Sequence, residues 1–280
     1  MAESIFGMKG KNILIVGGGQ GMGEASARRA AEQGANVAIL DMDLGRAEKV
    51  ASDLAGLGVT TTAITGDVTD PAQLAAAIEK ASDDLGVLDG MVCIVGMASW
   101  ASLIDMPLEV WDLDHRRNLR YFFLAAQDVA RRAIAAGKGC SIVSLTSVDG
   151  VQSAPFHGAY GAAKAGLISL TKTMAAEWTE FGVRVNTIAP GAIVSPRIPR
   201  MAPEQERERY NSIPARRRGD ADDVARAVLF LLSDLSTYVS GVTLPVDGAF
   251  LAVGAVDYEA DALKAGANGT LDAVGVLPPK

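Results

Sequence analysis

The chain has 280 residues, 49% of them hydrophobic, with 26 basic against 33 acidic side chains and a net charge of −7. That acidity argues against a nucleic-acid partner, because affinity for a polyanion comes largely from Lys and Arg neutralising phosphates. Two cysteines, Cys93 and Cys140, are too few for a disulfide framework and point to a reducing, cytoplasmic setting, and with only two histidines no Cys/His metal site is expected. The longest uncharged apolar stretch, residues 90–104, is shorter than the roughly 20 residues a membrane helix needs. The first eleven residues lack an apolar core, so no secretory signal is expected.

Short aliphatic runs alternate with helical patterns along most of the chain. Strands are expected at 12–16, 36–40, 60–65, 90–95, 141–145, 184–189 and 242–246, with helices at 23–34, 45–57, 71–85 and 221–232. The strands read as continuous apolar runs, the pattern of strands buried on both faces, so a doubly wound α/β sheet in one domain is predicted. Asp220 can cap the last helix, with Asp222 and Asp223 at the positive end of its dipole. Two regions break the alternation: 195–219, with four prolines and seven arginines, and the Gly/Ala-rich tail 251–280.

The first strand runs into Gly17, Gly18, Gly19, Gln20, Gly21, Met22 and Gly23, and then into a helix. Glycine permits a tight turn there and lets backbone amides approach a pyrophosphate at the positive helix end. Asp41 closes the second strand about 20 residues on, where a carboxylate can accept hydrogen bonds from both adenosine ribose hydroxyls. It also repels a 2′-phosphate, and neither Gln20 nor Met42 supplies an arginine to bind one, so NAD is favoured over NADP. Tyr160 and Lys164 are four residues apart and share a helix face, where an ammonium would lower the phenol's pKa. Ser147 follows the strand at 141–145, so its hydroxyl can lie beside the phenol at a strand's carboxyl end.

Together these residues resemble the short-chain dehydrogenase/reductase family, in its short single-domain branch. The resemblance runs from about Phe6 to Phe250 and includes the glycine loop, Asp41, Asp67-Val68, Asn118, Ser147, Tyr160/Lys164 and the run from Asn186 to Gly191. The closing Ser240-Gly241 and Val246-Asp247-Gly248 belong to it as well. It implies a Rossmann-type seven-stranded parallel sheet and hydride transfer between NAD and a carbinol or carbonyl carbon. Tyr160 would be the general acid/base, Lys164 would lower its pKa and hold the nicotinamide ribose, and Ser147 would bind the substrate oxygen. Asn118 would position a water leading protons from Lys164 to solvent. The cofactor would further meet Gly17, Gly19, Gln20, Gly21, Met22, Asp67, Val68, Gly96, Pro190, Gly191, Ile193 and Ser195. Two departures stand out. Val16 replaces the family's usual Thr, and Cys93-Ile94-Val95 replaces the asparagines and alanine that normally precede Gly96.

On the substrate side, Met97, Trp100, Val151, Phe156 and Met201 would line an apolar pocket for a secondary alcohol or ketone on a hydrophobic, cyclic body. His157 is expected as an exposed residue at a helix start, and Arg216-Arg217-Arg218 as a solvated charge run. Segment 195–219 is expected to form a lid. The resemblance implies a homodimer or homotetramer, paired through helices around 118–135 and 160–181. A catalytically idle NAD-binding or scaffold protein and a 3-oxoacyl reductase are the competing functions.

Overall fold

A computed structural model describes residues 4–253. The expected extension at 251–280 therefore lies, beyond its first three residues, outside the described residues. Seven parallel strands form one sheet in the order β3-β2-β1-β4-β5-β6-β7. They are β1 (Asn12–Val16), β2 (Asn36–Asp41), β3 (Thr61–Thr65), β4 (Gly90–Cys93), β5 (Cys140–Leu145), β6 (Val183–Pro190) and β7 (Thr243–Val246). The helices are α1 (Gly21–Glu32), α2 (Leu44–Ala55), α3 (Pro71–Leu85), α4 (Leu108–His115), α5 (Tyr121–Ala135), α6 (Gly158–Trp178), α7 (Pro203–Arg209) and α8 (Ala221–Leu232).

The unbroken apolar strands have a direct structural reason. Side chains alternate across a sheet, and helices cover both faces here. In β1, Leu14 and Val16 enter a core shared with Leu74 of α3, Phe122 and Val129 of α5, and Leu167 and Met174 of α6. Ile13 and Ile15 enter the opposite core, with Ala27 and Ala30 of α1, Val50 and Leu54 of α2, and Val224 and Val228 of α8. Each of the Leu, Ile, Val, Phe and Met side chains among them, fully withdrawn from water, contributes about 1.5–3 kcal/mol before entropy is counted.

Local chemistry sets the helix starts. The Asp43 carboxylate accepts from Arg46 N at the head of α2, and Asp70 accepts from Ala72 N and Gln73 N at the head of α3, with Pro71 next to it. At α8, the Asp223 carboxylate accepts from Asp220 N at 2.9 Å. Among the strands the boundaries depart from expectation most at β4, which ends at Cys93 rather than at residue 95, while α1 runs two residues earlier than expected at both ends. Ile94 N still donates to Val16 O (2.9 Å), and the two strands then separate. Chain order reverses between β1 and β4, and the crevice beyond their carboxyl ends is where such sheets take ligands. The apolar departures noted above are absorbed there: Val16 and Cys93 are paired in register, and both are buried in one core.

Candidate active site

The glycine loop leaves β1 and enters α1 at that crevice. A Cβ on Gly23 would stand 1.9 Å from Gly17 O, so only glycine lets the helix start this close to the strand end. Gln20 holds the N-cap position without a side-chain bond to the first turn, which leaves the α1 amides available to an anion. Gly19 N donates to Asp41 Oδ2 at 3.0 Å, tying the loop to the end of β2. The other carboxylate oxygen accepts from Asp43 N (3.1 Å) and from Arg46 Nη2 (2.8 Å). An arginine is therefore present at this corner. It comes from the first turn of α2, not from position 20 or 42, and it is ion-paired with Asp41.

Tyr160 and Lys164 lie on the first turns of α6, facing the end of β5. Lys164 is only 2% exposed, its Nζ donates to Leu145 O at 2.7 Å and it stands 5.6 Å from the centre of the Tyr160 ring. Burial lowers the Lys164 pKa to about 8. Tyr160 moves the opposite way to the expectation from sequence. Burial pushes its pKa up to about 12, a hydrogen bond with Ser147 pulls it down, and the charges of Asp149 and Asp114 raise it further. In the protein without cofactor, then, desolvation outweighs any help from the neighbouring ammonium. Ser147 Oγ also accepts from Asp149 N at 3.1 Å.

Asn118 is fully buried within a single π-helical turn, Arg116–Arg120, between α4 and α5. Its Oδ1 accepts from Met97 N (3.1 Å), and its Nδ2 donates to Met97 O (3.0 Å) and Asp114 O (2.9 Å). Both amide protons are thus committed, and one Oδ1 lone pair is left for a water. Gly96 fits between the two catalytic candidates: a Cβ there would lie 2.9 Å from Asn118 Oδ1 and 3.0 Å from Lys164 Nζ. The remaining cofactor candidates frame the same crevice. Val68 is buried and Asp67 exposed after β3, while Asp67 Oδ1 accepts from Thr69 N. Pro190 ends β6, Gly191 N donates to Val246 O, Ile193 bridges Gly219 and Ser195 bridges Ile198. Met22 packs against the core beneath α1, and a Cβ on Gly21 would meet Pro196 at 3.4 Å.

The five substrate-side residues are not gathered around one cavity. Val151 and Phe156 line a cavity of about 520 Å³ with Leu103, Gly161 and Ala165, and neither Ser147 nor Tyr160 lines it. Met97 instead faces segment 195–219, where Arg197 Nη1 lies 3.2 Å from its sulfur. Met201 N donates to Glu206 Oε1 at 3.0 Å. Trp100, 75% exposed, packs edge-on to the His157 ring with centroids 4.0 Å apart.

Two expectations are corrected. His157 is partly buried, with Nδ1 2.7 Å from Asp149 Oδ2. The arginine run is not uniformly solvated: Arg218 is 1% exposed. It forms a buried ion pair with Glu206 and donates to the carbonyls of Ile198 (3.0 Å) and Pro199 (2.9 Å). A buried guanidinium needs such partners, because desolvation is costly for an unpaired charge. Sequence reasoning also missed Asp114 and Arg117. Asp114 is fully buried, accepts from Ser99 N and Oγ and pairs with Arg117 at 2.6 Å, while Arg117 Nε donates to Met97 O. The two brace the segment after β4. Their i,i+3 spacing was the only available signal, and it is shared by many surface pairs.

Among the described residues, no cluster of His, Cys, Asp or Glu could hold a metal, and no helix is long and apolar enough to cross a membrane. Cys93 and Cys140 are buried free thiols, and burial pushes both up, Cys140 to about 12.

Comparison with known proteins agrees with this geometry. A family profile described as Enoyl-(Acyl carrier protein) reductase matches residues 17–250. A 2-(S)-hydroxypropyl-CoM dehydrogenase of Xanthobacter autotrophicus is 36% identical over 88% of this chain and 98% of its own. An L-rhamnose 1-dehydrogenase (NAD(P)(+)) of a Sphingomonas species is 32% identical over 86% of this chain and 96% of its own. Among solved structures, a 7α-hydroxysteroid dehydrogenase complexed with NADH and 7-oxo glycochenodeoxycholic acid superposes with a TM-score of 0.83. Its identity is 31%, and 89% of this chain and 97% of that one are covered.

Proposed function

The chain belongs to the short-chain dehydrogenase/reductase family and is an NAD(P)-dependent oxidoreductase acting on CH–OH groups; from that premise we propose that it interconverts a hydrophobic secondary alcohol and its ketone, with NAD preferred. The observation that carries this reading is the buried Lys164, its Nζ 5.6 Å from the centre of the Tyr160 ring, with Ser147 near enough to lower the phenol's pKa, beside the opening that Gly96 leaves. The glycine cradle fits a dinucleotide, because added Cβ atoms at Gly19, Gly23 and Gly96 would collide with Asp41, Gly17 O and Asn118. When bound, the nicotinamide supplies the hydride acceptor or donor.

The residues of the chain supply the proton chemistry and the positioning. Tyr160 Oη takes the carbinol proton during oxidation and returns it during reduction. Ser147 Oγ holds the substrate oxygen and stabilises the phenolate through their mutual hydrogen bond. Lys164 is the buried cation beside the phenol, and its pKa of about 8 leaves it mostly protonated at neutral pH. Asn118 is a positioning residue: it fixes Met97 and the π-turn, and its remaining lone pair orders a water next to Lys164. Asp41 would receive the adenosine ribose, and Asp67 and Val68 would meet the adenine. Gly17, Gly19, Gln20, Gly21 and Met22 would border the pyrophosphate together with Ser195, while Pro190, Gly191 and Ile193 would border the nicotinamide.

Segment 195–219 acts as the lid, with α7 clasped by Arg218. The substrate surface runs from Met97 and Trp100 past Val151 and Phe156 to Met201. Exposed small residues on α6, including Ala162 and Ala165, suit close pairing with a second copy in a dimer or tetramer. Buried reduced cysteines suit a cytoplasmic setting. The complete Ser147, Tyr160, Lys164 and Asn118 arrangement favours an active enzyme over an idle scaffold, and the Asp41 carboxylate disfavours an NADPH-dependent 3-oxoacyl reductase. The test is NADH formation from a panel of cyclic and acyclic secondary alcohols. A flat trace across the panel, with NAD still bound, would overturn the reading.

A further inference from the structure

His157 carries an unused group. Its Nδ1 is held by Asp149 at 2.7 Å. With the carboxylate accepting, Nδ1 bears the proton and Nε2 presents a lone pair. Nε2 is buried and has no hydrogen-bond partner in the protein. Buried acceptors are almost always satisfied, so an orphan beside a reaction centre calls for a ligand group. The surroundings place this atom with the chemistry. The imidazole centroid lies 6.0 Å from that of Tyr160, and Asp149 both holds His157 and donates its main-chain N–H to Ser147 Oγ. Asp149 thus ties the imidazole to the Ser147 hydroxyl, with the Tyr160 ring close by. The far side of the ring is covered by Trp100, an exposed side chain on the segment after β4, where no helix or strand forms until Leu108.

We propose that His157 is a specificity-determining residue whose Nε2 accepts a hydrogen bond from a second hydroxyl of the substrate, next to the carbinol that reacts at Tyr160. The substrates selected are then diols and hydroxyketones on an apolar body rather than simple alcohols, and Trp100 closes over the bound polar edge. This deepens the dehydrogenase reading of the same pocket and rests on it.

Binding, read apart from turnover, tests the assignment. Calorimetric titration of the protein–NADH complex, in which an alcohol cannot be oxidised, with cyclohexanol and with cis-1,2-cyclohexanediol should show the diol held about fivefold more tightly, the equivalent of one buried hydrogen bond. In His157→Asn the shorter amide can keep the Asp149 contact but cannot reach the Nε2 position, and the two ligands should bind alike. In His157→Gln, whose amide reaches that position, the diol preference should return. The assignment is overturned if the wild type shows no diol preference, including binding of neither ligand, which would mean that a water alone satisfies Nε2. A preference that persists in His157→Asn overturns it as well. A diol that binds selectively but yields no NADH would refute the dehydrogenase reading and leave the His157 assignment standing.

Discussion

Replacing Asp41 with Ala isolates the chemistry of cofactor choice. The carboxylate is 7% exposed and holds Gly19 N, Asp43 N and Arg46 Nη2. A hydrogen bond to a charged acceptor is worth about 1.5–3 kcal/mol, and a ribose diol would form up to two. Because Arg46 and two amides already share the oxygens, the net loss for NADH is set at the value of about one such bond, a weakening of roughly ten- to a hundredfold. NADPH should respond oppositely. Removing the carboxylate ends its repulsion of the 2′-phosphate and frees Arg46, whose planar fork suits a phosphate. NADPH affinity should therefore rise about tenfold, since the arginine is partly exposed and water screens its charge. Dissociation constants for both cofactors, measured by fluorescence energy transfer from tryptophan to the reduced nicotinamide, decide the matter. The variant Asp41→Asn, which still accepts from Gly19 N, separates loop support from charge. Unchanged NADH affinity in Asp41→Ala, or equal loss for both cofactors, would refute the reasoning.

Tyr160→Phe should lower turnover by at least about a hundredfold while cofactor binding stays intact, and stopped-flow kinetics with substantial residual oxidation would count against its role. Because burial pushes the phenol up to about 12, the acid form dominates at neutral pH. Oxidation, which needs the base, should climb as pH rises, and reduction should be flat until the alkaline limb. Ser147→Ala removes the bond that lowers this pKa and should move both limbs to higher pH, and an unshifted profile would contradict that. Asn118→Leu leaves Met97 N without its acceptor and removes the amide's bonds to Asp114 O and to Met97 O, which keeps Arg117 Nε, and should cost about 1–3 kcal/mol in urea unfolding. Glu206 is held at about 2 by Arg218, against an ordinary 4.5. A depressed carboxylate contributes stability above its ordinary pKa and loses it as pH falls through the folded value. The Glu206 clasp should thus loosen between pH 4.5 and about 2, read as protease sensitivity of segment 195–219, and Glu206→Gln should show that sensitivity already at neutral pH.

The sheet was legible because its signals are local. Strands such as Ile13 to Val16 are apolar on both faces, and Gly17 to Gly23 follow β1 directly in sequence. Tyr160 and Lys164 declare themselves by sharing one helix face. The unread parts depend on partners brought together only by folding or hidden within ordinary spacing. Glu206 and Arg218 are twelve residues apart, and nothing in three consecutive arginines says that the third is buried while its neighbours are not. Asp149 and His157 meet across a turn in which Phe156 adopts a left-handed backbone, φ 66°, a geometry that composition does not announce. The phenol's pKa follows the same rule: proximity of an ammonium is visible in spacing, whereas depth of burial is not.

The π-turn at Arg116–Arg120 has a consequence for how this region tolerates change. An α-helix advances about 100° per residue, and a π-turn inserts one extra residue into that progression. It therefore sets the angular phase between α4, which packs on α6, and α5, which packs on α3 and the sheet. Point substitutions at Arg116, Arg117 or Arg120 keep this phase, since the chain still has the same number of peptide units. Removing any one of the five residues would let the helix run straight and swing α4, with Asp114, by about a quarter turn relative to α5. Residue number along this stretch therefore matters in its own right, beside the Asn118 and Arg117 side chains that it positions.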